Sequence, residues 1–321
     1  NNILIVDLDE NFIQEYGGWP LPRTAYADLI TTTSAIPGIT VLMPNADIRD
    51  TRNDDILALR MNYIPTVLAT AASTQVSTEG PHVGTAQLGE DPLPWLYQYP
   101  GILPTESTLK EKASGIGVVT ATPEIDGVTR RIPLVVNVGS KLYPSFALEL
   151  LRVAVQDPSY QLKTTEEGVT WVRIPNYPLM NTDANGRIFL NWNTKFYKQT
   201  ASHFINDPIE APFVIFGTTA EGVTNPVPTP AGAKYPHEIQ ANILHNLVQG
   251  TAPSTPTWAG GLKYAIALFA FLALAFASRS VWFSVPVLAL VVVGSSYGTW
   301  YAYQSSYLID ASGIVILSIL F

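Results

Sequence analysis

Few residues in this sequence have the types and spacing that chemistry demands. Arg130 and Arg131 follow Asp126-Gly127 by four and five positions from the aspartate, and a guanidinium offers a planar fork that holds a carboxylate or phosphate through two hydrogen bonds. The same side chains could instead lock the Asp126-Gly127 turn by an internal ion pair. On a strand the two arginines face opposite sides, so at most one joins a given pocket. Gly217-Thr218-Thr219 closes an apolar run and resembles a turn whose free amides face an anion at a helix N-terminus. It lacks the repeated glycines of a dinucleotide fingerprint, and a tight turn is the plainer alternative. Trp19, with Arg23 four residues on, and the group Trp95, Tyr97 and Tyr99 could line an apolar ligand pocket or an interface.

Asp7 and Asp9 alternate along a strand and so share a face, where Glu10 nearby could help them hold a hard cation. Capping a turn or pairing with Arg23 is the competing role, and no metal site is expected. His82, His203, His237 and His245 show no metal spacing, and no Gly-x-Ser-x-Gly elbow is present. No catalytic residue is assigned and no cofactor is called for. The ligand-binding candidates are Trp19, Arg23, Asp126, Arg130, Arg131, Thr218 and Thr219.

The elements that must position them read as α/β. Ile3–Asp7 is a β-branched run of the buried-strand kind, residues 25–31 follow at helical spacing, and residues 38–43 give the next strand, which is β-α-β logic. A short helix over 56–61, an apolar stretch over 64–72 and a loop-rich excursion over 80–104 come next. Residues 115–122 and 129–138 read as strands around a hairpin-type turn at Asp126-Gly127, and 145–155 as an amphipathic helix. Residues 169–174 and 186–192 read as a further strand pair. The strand 213–217 leads through a Pro-rich segment to a helix over 237–248, which Gly250 stops.

Charged residues make up 14% of the 321-residue chain, below the roughly 25% of a soluble domain. The deficit is concentrated after Thr257, where Lys263, Arg279 and Asp310 are the only Lys, Arg, Asp or Glu residues. Three apolar spans follow the linker 253–256, at about 258–277, 281–301 and 307–321, each near the length that crosses a hydrocarbon core. Arg279 between the first two spans places that turn in the cytoplasm by the positive-inside bias, and residues 1–252 outside. A helix preceding Asn1 is also expected, because an outward domain needs a signal peptide or a prior span. The net charge of -8 argues against nucleic acid, which needs a basic face. With no cysteine, disulfides are excluded.

Three blocks carry a family resemblance. The first is Ile5–Glu10 with Gly18-Trp19-Pro20-Leu21-Pro22-Arg23. The second is residues 123–134, PEIDGVTRRIPL, followed by 143–149, YPSFALE. The third is residues 213–220, FVIFGTTA, with the helix that begins at His237. Together they resemble the second type of the extracellular sensory domains associated with cyclases and histidine kinases, the CHASE group. The chain departs from the pattern at Pro236, where a glycine is usual, and at Gln240, where a histidine is usual.

The resemblance implies an α/β extracytoplasmic sensory domain with a mixed sheet, followed by an α-helical transmembrane region. It implies a multi-pass receptor of a bacterial cell membrane, residues 1–252 periplasmic or extracellular, that passes a signal to a cytoplasmic output module. It further implies a lipid bilayer as partner, a homo-oligomer, and a small-molecule or protein stimulus. The alternative is a non-signalling structural or accessory subunit of a membrane or extracellular assembly. A membrane-anchored hydrolase has no motif behind it.

Overall fold

The computed structural model describes residues 2–35, 40–43, 52–75, 83–119, 123–256, 258–277 and 280–320. It divides into two compact units, Asn1–Thr251 and Ala252–Phe321.

The first unit is built on a six-stranded sheet of β1 (Ile3–Leu8), β2 (Thr40–Met43), β3 (Thr66–Thr70), β4 (Gly115–Val118), β5 (Tyr197–Thr200) and β6 (Phe213–Thr218). Its order is β5-β1-β6-β2-β3-β4, and every neighbouring pair is parallel. Parallel strands are covered on both faces and therefore read as continuous apolar runs, as ILIV and FVIF do here.

Among the described residues seven helices cover the sheet: α1 (Glu10–Glu15), α2 (Arg23–Ser34), α3 (Asp54–Met61), α4 (Ser107–Lys112), α5 (Phe146–Ala154), α6 (Ala201–Asn206) and α7 (Pro236–Gln249). Strand side chains alternate between faces. Leu4, Val6, Leu8, Val214 and Phe216 join Phe12, Leu29, Ile30, Leu57, Leu109 and Phe204 in one buried cluster, which puts α1–α4 and α6 on one face. The alternate residues, Asp7 and Gly217 among them, face α7, and α5 packs beside α7 over β3 and β4.

Two glycines on that second face set how closely the helices approach. A Cβ on Gly117 would lie 2.3 Å from the Phe146 Cα, and one on Gly217 would lie 2.0 Å from the His237 Cγ. The start of each helix therefore presses on the sheet where no side chain exists. Ser145 caps α5 by accepting from the Leu148 amide, and α7 ends at Gly250 with φ 65°, the left-handed conformation glycine supplies without cost.

Smaller sheets complete the unit. One is mixed: Ser159–Thr165 pairs in parallel with Gly84–Gly89 and antiparallel with Gly168–Arg173, which in turn pairs with Met180–Asn181. Part of the excursion expected to be loop-rich, residues 84–89, is thus a strand. The Asp126-Gly127 turn forms, with Gly127 at φ 78°, but it does not join a hairpin. Residues 115–118 lie in the main sheet, whereas Arg131–Pro133 pairs with Arg187–Phe189, with Ile132 opposite Ile188. That pairing also separates 187–189 from 168–173, which were expected to pair with each other.

The second unit contains α8 (Ala259–Ala277), α9 (Val281–Gln304) and α10 (Ser312–Leu320). Among the described residues two helices are long and apolar enough to cross a membrane: Ala259–Ala277, and Trp282–Gln304 within α9, with mean hydropathies of 1.8 and 1.4. Phe269, Trp282, Phe283 and Leu290 point outward from them, the reverse of a water-soluble helix. The third apolar run is helical only from Ser312, because the Asp310 carboxylate accepts the Ser312 amide at 2.9 Å and sets the helix start there. Lys263 Nζ lies 3.3 Å from Asp310 Oδ2. The positive-inside argument rested on Arg279, which, like His82 and the start of the strand expected over 38–43, lies outside the described residues.

Candidate functional site

A cleft of ≈ 230 Å³ opens at the carboxyl edge of the parallel sheet. Its place follows from the topology. β1 and β6 are neighbours, yet the chain leaves β1 into α1 on one face and reaches α7 on the other face after β6. Diverging helices leave a crevice beyond the strand ends, where open α/β sheets take their ligands. Phe216, Gly217 and Thr218 come from the end of β6, Ala69 from β3, and Val119 from just past β4. Phe146 comes from the start of α5, and Pro236, His237 and Gln240 from the start of α7. Trp19, Val223 and Thr224 complete the rim.

The polar groups at the base are held firmly. Asp7 is the register partner of Gly217, so its carboxylate rises on the α7 face and its Oδ1 meets His237 Nε2 at 2.9 Å. The His237 ring lies over Gly217 and stacks on Tyr235, centroids 5.9 Å apart. The Tyr235 hydroxyl donates to the Thr219 carbonyl at 3.1 Å. A capping box ties the helix start together: the Tyr235 amide donates to Glu238 Oε2 at 2.8 Å, and Lys198 forms an ion pair with Glu238 Oε1. Burial pushes the Glu238 carboxyl up, but Lys198 and the Tyr235 amide outweigh it and hold the group below its usual range. Gln240 Oε1 accepts the Ala147 amide at 3.2 Å, which joins α7 to the first turn of α5.

The structure gathers only part of the candidate set. Trp19, half exposed at 48%, and Thr218 both line the cleft. Thr219 is adjacent, but its amide donates to the Leu8 carbonyl at 3.1 Å and its carbonyl receives Tyr235, so it offers no free amide to an anion. Arg23 is buried, 2% exposed, against Asp54. Arg130 grips Asp126 through two hydrogen bonds of 2.9 and 2.7 Å on the surface, and the guanidinium holds the Asp126 carboxyl down at about 2. Arg131 bonds to Glu124 at 2.6 Å and Asp183 at 3.2 Å and lies over the Phe189 ring. Arg23, Asp126, Arg130 and Arg131 do not line the cleft.

Asp9 caps α1 by accepting the Phe12 amide at 3.0 Å, and no metal-holding group of three or more His, Cys, Asp or Glu occurs among the described residues. Sequence reasoning missed Phe146, Phe216, His237 and Gln240 as cleft residues, and Asp7 as the carboxylate that holds His237. One signal pointed there: Pro236 and Gln240, the two departures from the resembled pattern, are both cleft residues.

A family model described as the CHASE2 domain matches residues 1–277. No curated protein and no solved structure matches the chain.

Proposed function

The chain belongs to the CHASE2 domain family, a family of extracellular sensory domains, and we propose that it is the stimulus-receiving part of a bacterial membrane receptor. In this reading residues 1–252 face the periplasm or exterior, the apolar helices make a multi-pass anchor in the lipid bilayer, and the protein works as a homo-oligomer. The carboxyl-edge cleft receives the stimulus, α7 carries the change toward the membrane helices, and a cytoplasmic module reads it. The role asks for no catalysis by this chain.

The observation that carries the reading is the span of α7. Its first turn supplies three cleft residues, and its last, Gln249, is followed by the linker that leads to α8 at Ala259. At about 1.5 Å per residue, 14 residues make a rod of roughly 21 Å. A ligand acts through such a rod only by its different affinity for two positions of it.

The test fills the cleft chemically. The chain has no cysteine, so Thr224→Cys in the full chain carries a unique thiol at the cleft rim, which N-ethylmaleimide occupies. Amide hydrogen exchange is then followed along α7. The reading expects altered exchange from the first turn through Leu247; a change confined to the cleft residues, with the membrane-proximal turns untouched, would refute it.

A further inference from the structure

The cleft's lining contains no Lys, Arg, Asp or Glu among the described residues, and its one histidine, His237, has its Nε2 taken by the Asp7 carboxylate, so no unpaired charge there holds a phosphate, a carboxylate or an ammonium. Trp19 and Phe146 give it aromatic surface, Ala69, Val119 and Val223 add aliphatic surface, and the Phe216 ring turns to the other face against Phe204. At ≈ 230 Å³ it is smaller than the 300–1,000 Å³ or so of a drug-sized site. Apolar shape alone would favour a hydrocarbon, but two polar side chains argue otherwise.

Gln240 is 4% exposed and Thr218 is 6% exposed, so both are more than nine-tenths buried. The Gln240 carbonyl oxygen is taken by the Ala147 amide, which fixes the carboxamide and turns its NH2 group the other way. Among the described residues no acceptor meets that NH2 group and no hydrogen bond involves the Thr218 hydroxyl. Neither atom is sealed away, since neither is among the fully buried atoms that lack a partner; both residues line the cleft. Both can therefore meet water in the open cleft, and a ligand that displaces that water must supply an acceptor in its place or lose free energy. The N-terminal end of α7 adds partial positive charge beside them, which favours an acceptor over a donor.

Resting on the reading of the cleft as the input site, we infer that its ligand is a small uncharged molecule with a flat apolar body and a carbonyl-type acceptor. The acceptor takes the Gln240 NH2 group, the Thr218 hydroxyl supplies a second hydrogen bond, and the body lies between Trp19 and Phe146. Charged analogues of the same shape lose on entry, because the cleft offers no counter-charge for the hydration they leave behind.

Benzamide, benzoate and benzylamine share a ring and differ in charge, so they serve as probes. Each is titrated by calorimetry into the full chain in lipid nanodiscs, with empty nanodiscs as blank. Benzamide is expected to bind at least about tenfold more tightly than either charged probe. Gln240→Glu keeps an oxygen for the Ala147 amide and removes the donor, and Thr218→Val replaces the hydroxyl by a methyl of equal size. Each substitution is expected to weaken benzamide about tenfold, the factor that about 1.4 kcal/mol represents.

If benzoate or benzylamine binds as tightly as benzamide and the binding is lost in Trp19→Ala, the neutral class is overturned while the cleft stands as the input site. If no probe binds, or binding ignores both Gln240→Glu and Thr218→Val, the ligand class is overturned, and the maleimide-filled cleft tests the input site without reference to any ligand.

Discussion

Gly217→Ala strikes the contact on which the cleft base depends. The new Cβ would stand 2.0 Å from the His237 Cγ and 2.1 Å from its Nδ1, where carbon atoms ordinarily sit about 3.5 Å apart or more. The ring must therefore retreat by about 1.5 Å. It is 6% exposed, bonded to Asp7 Oδ1 at 2.9 Å and stacked on Tyr235, so it cannot retreat without breaking the Asp7 bond or shifting the first turn of α7. Overpacking of this kind costs about 1–3 kcal/mol, and loss of a hydrogen bond to a charged group adds about 1.5–3 kcal/mol. A loss of roughly 3–5 kcal/mol in a unit of this size lowers the melting temperature by about 6–20 °C.

The assay is thermal melting of the full chain in detergent by near-ultraviolet circular dichroism, with His237→Ala as the second arm of a double-mutant cycle. Removing the ring makes room for the methyl, so Gly217→Ala should cost under about 1 kcal/mol in that background. A fall below about 2 °C in the otherwise native chain, or equal falls in both backgrounds, would refute the close-approach argument.

Three further outcomes follow from the same geometry. Arg23→Met leaves the Asp54 carboxylate buried without its guanidinium and should destabilise by about 3–5 kcal/mol, seen as a lower melting temperature, while probe binding in the cleft is unchanged in the fraction that remains folded. Arg130→Gln removes a surface pair and should leave the melting temperature within about 1 °C, since exposed ion pairs contribute little; a large fall would mean that the turn holds more than itself. Glu238 has a folded pKa below its ordinary value of 4.5, so its stabilisation is complete above that value and is lost as pH falls through the lower folded one. Glu238→Gln should therefore flatten the acid limb of the stability curve below about pH 4.5 and leave its slope above about pH 6 unchanged.

What could be read from the sequence was local. Ile3–Asp7 and Phe213–Gly217 declared themselves as buried strands because parallel strands covered on both faces are apolar throughout. The last long helix of the first unit was bounded to within a residue or so at each end, because Pro236 opens it and Gly250 closes it. Asp126-Gly127 gave a real turn, but turn chemistry does not choose strand partners, and Ile132 found Ile188. The strand 84–89, GTAQLG, has neither an apolar run nor clean alternation, and it takes an edge of its sheet beside Ser159–Thr165.

The cleft was half legible for the same reason. Trp19 and Thr218 sit in suggestive local patterns, whereas Asp7 and His237 meet only because β1 and β6 align Asp7 with Gly217. Nothing within a short window reports a contact across 230 residues. The arginines attracted attention for their ligand-binding chemistry and proved to be satisfied by Asp54, Asp126, Glu124 and Asp183.

The central claim is that occupation of the cleft moves the far end of α7. Nitroxides at Glu166→Cys, on a strand-joining turn of the first unit, and at Gln249→Cys, the last residue of α7, report that movement as a distance distribution measured by pulsed electron resonance in lipid. The distribution is compared between the native cleft and one filled by Thr224→Trp. The account predicts a displaced or reshaped distribution when the cleft is filled; superimposable distributions would contradict it.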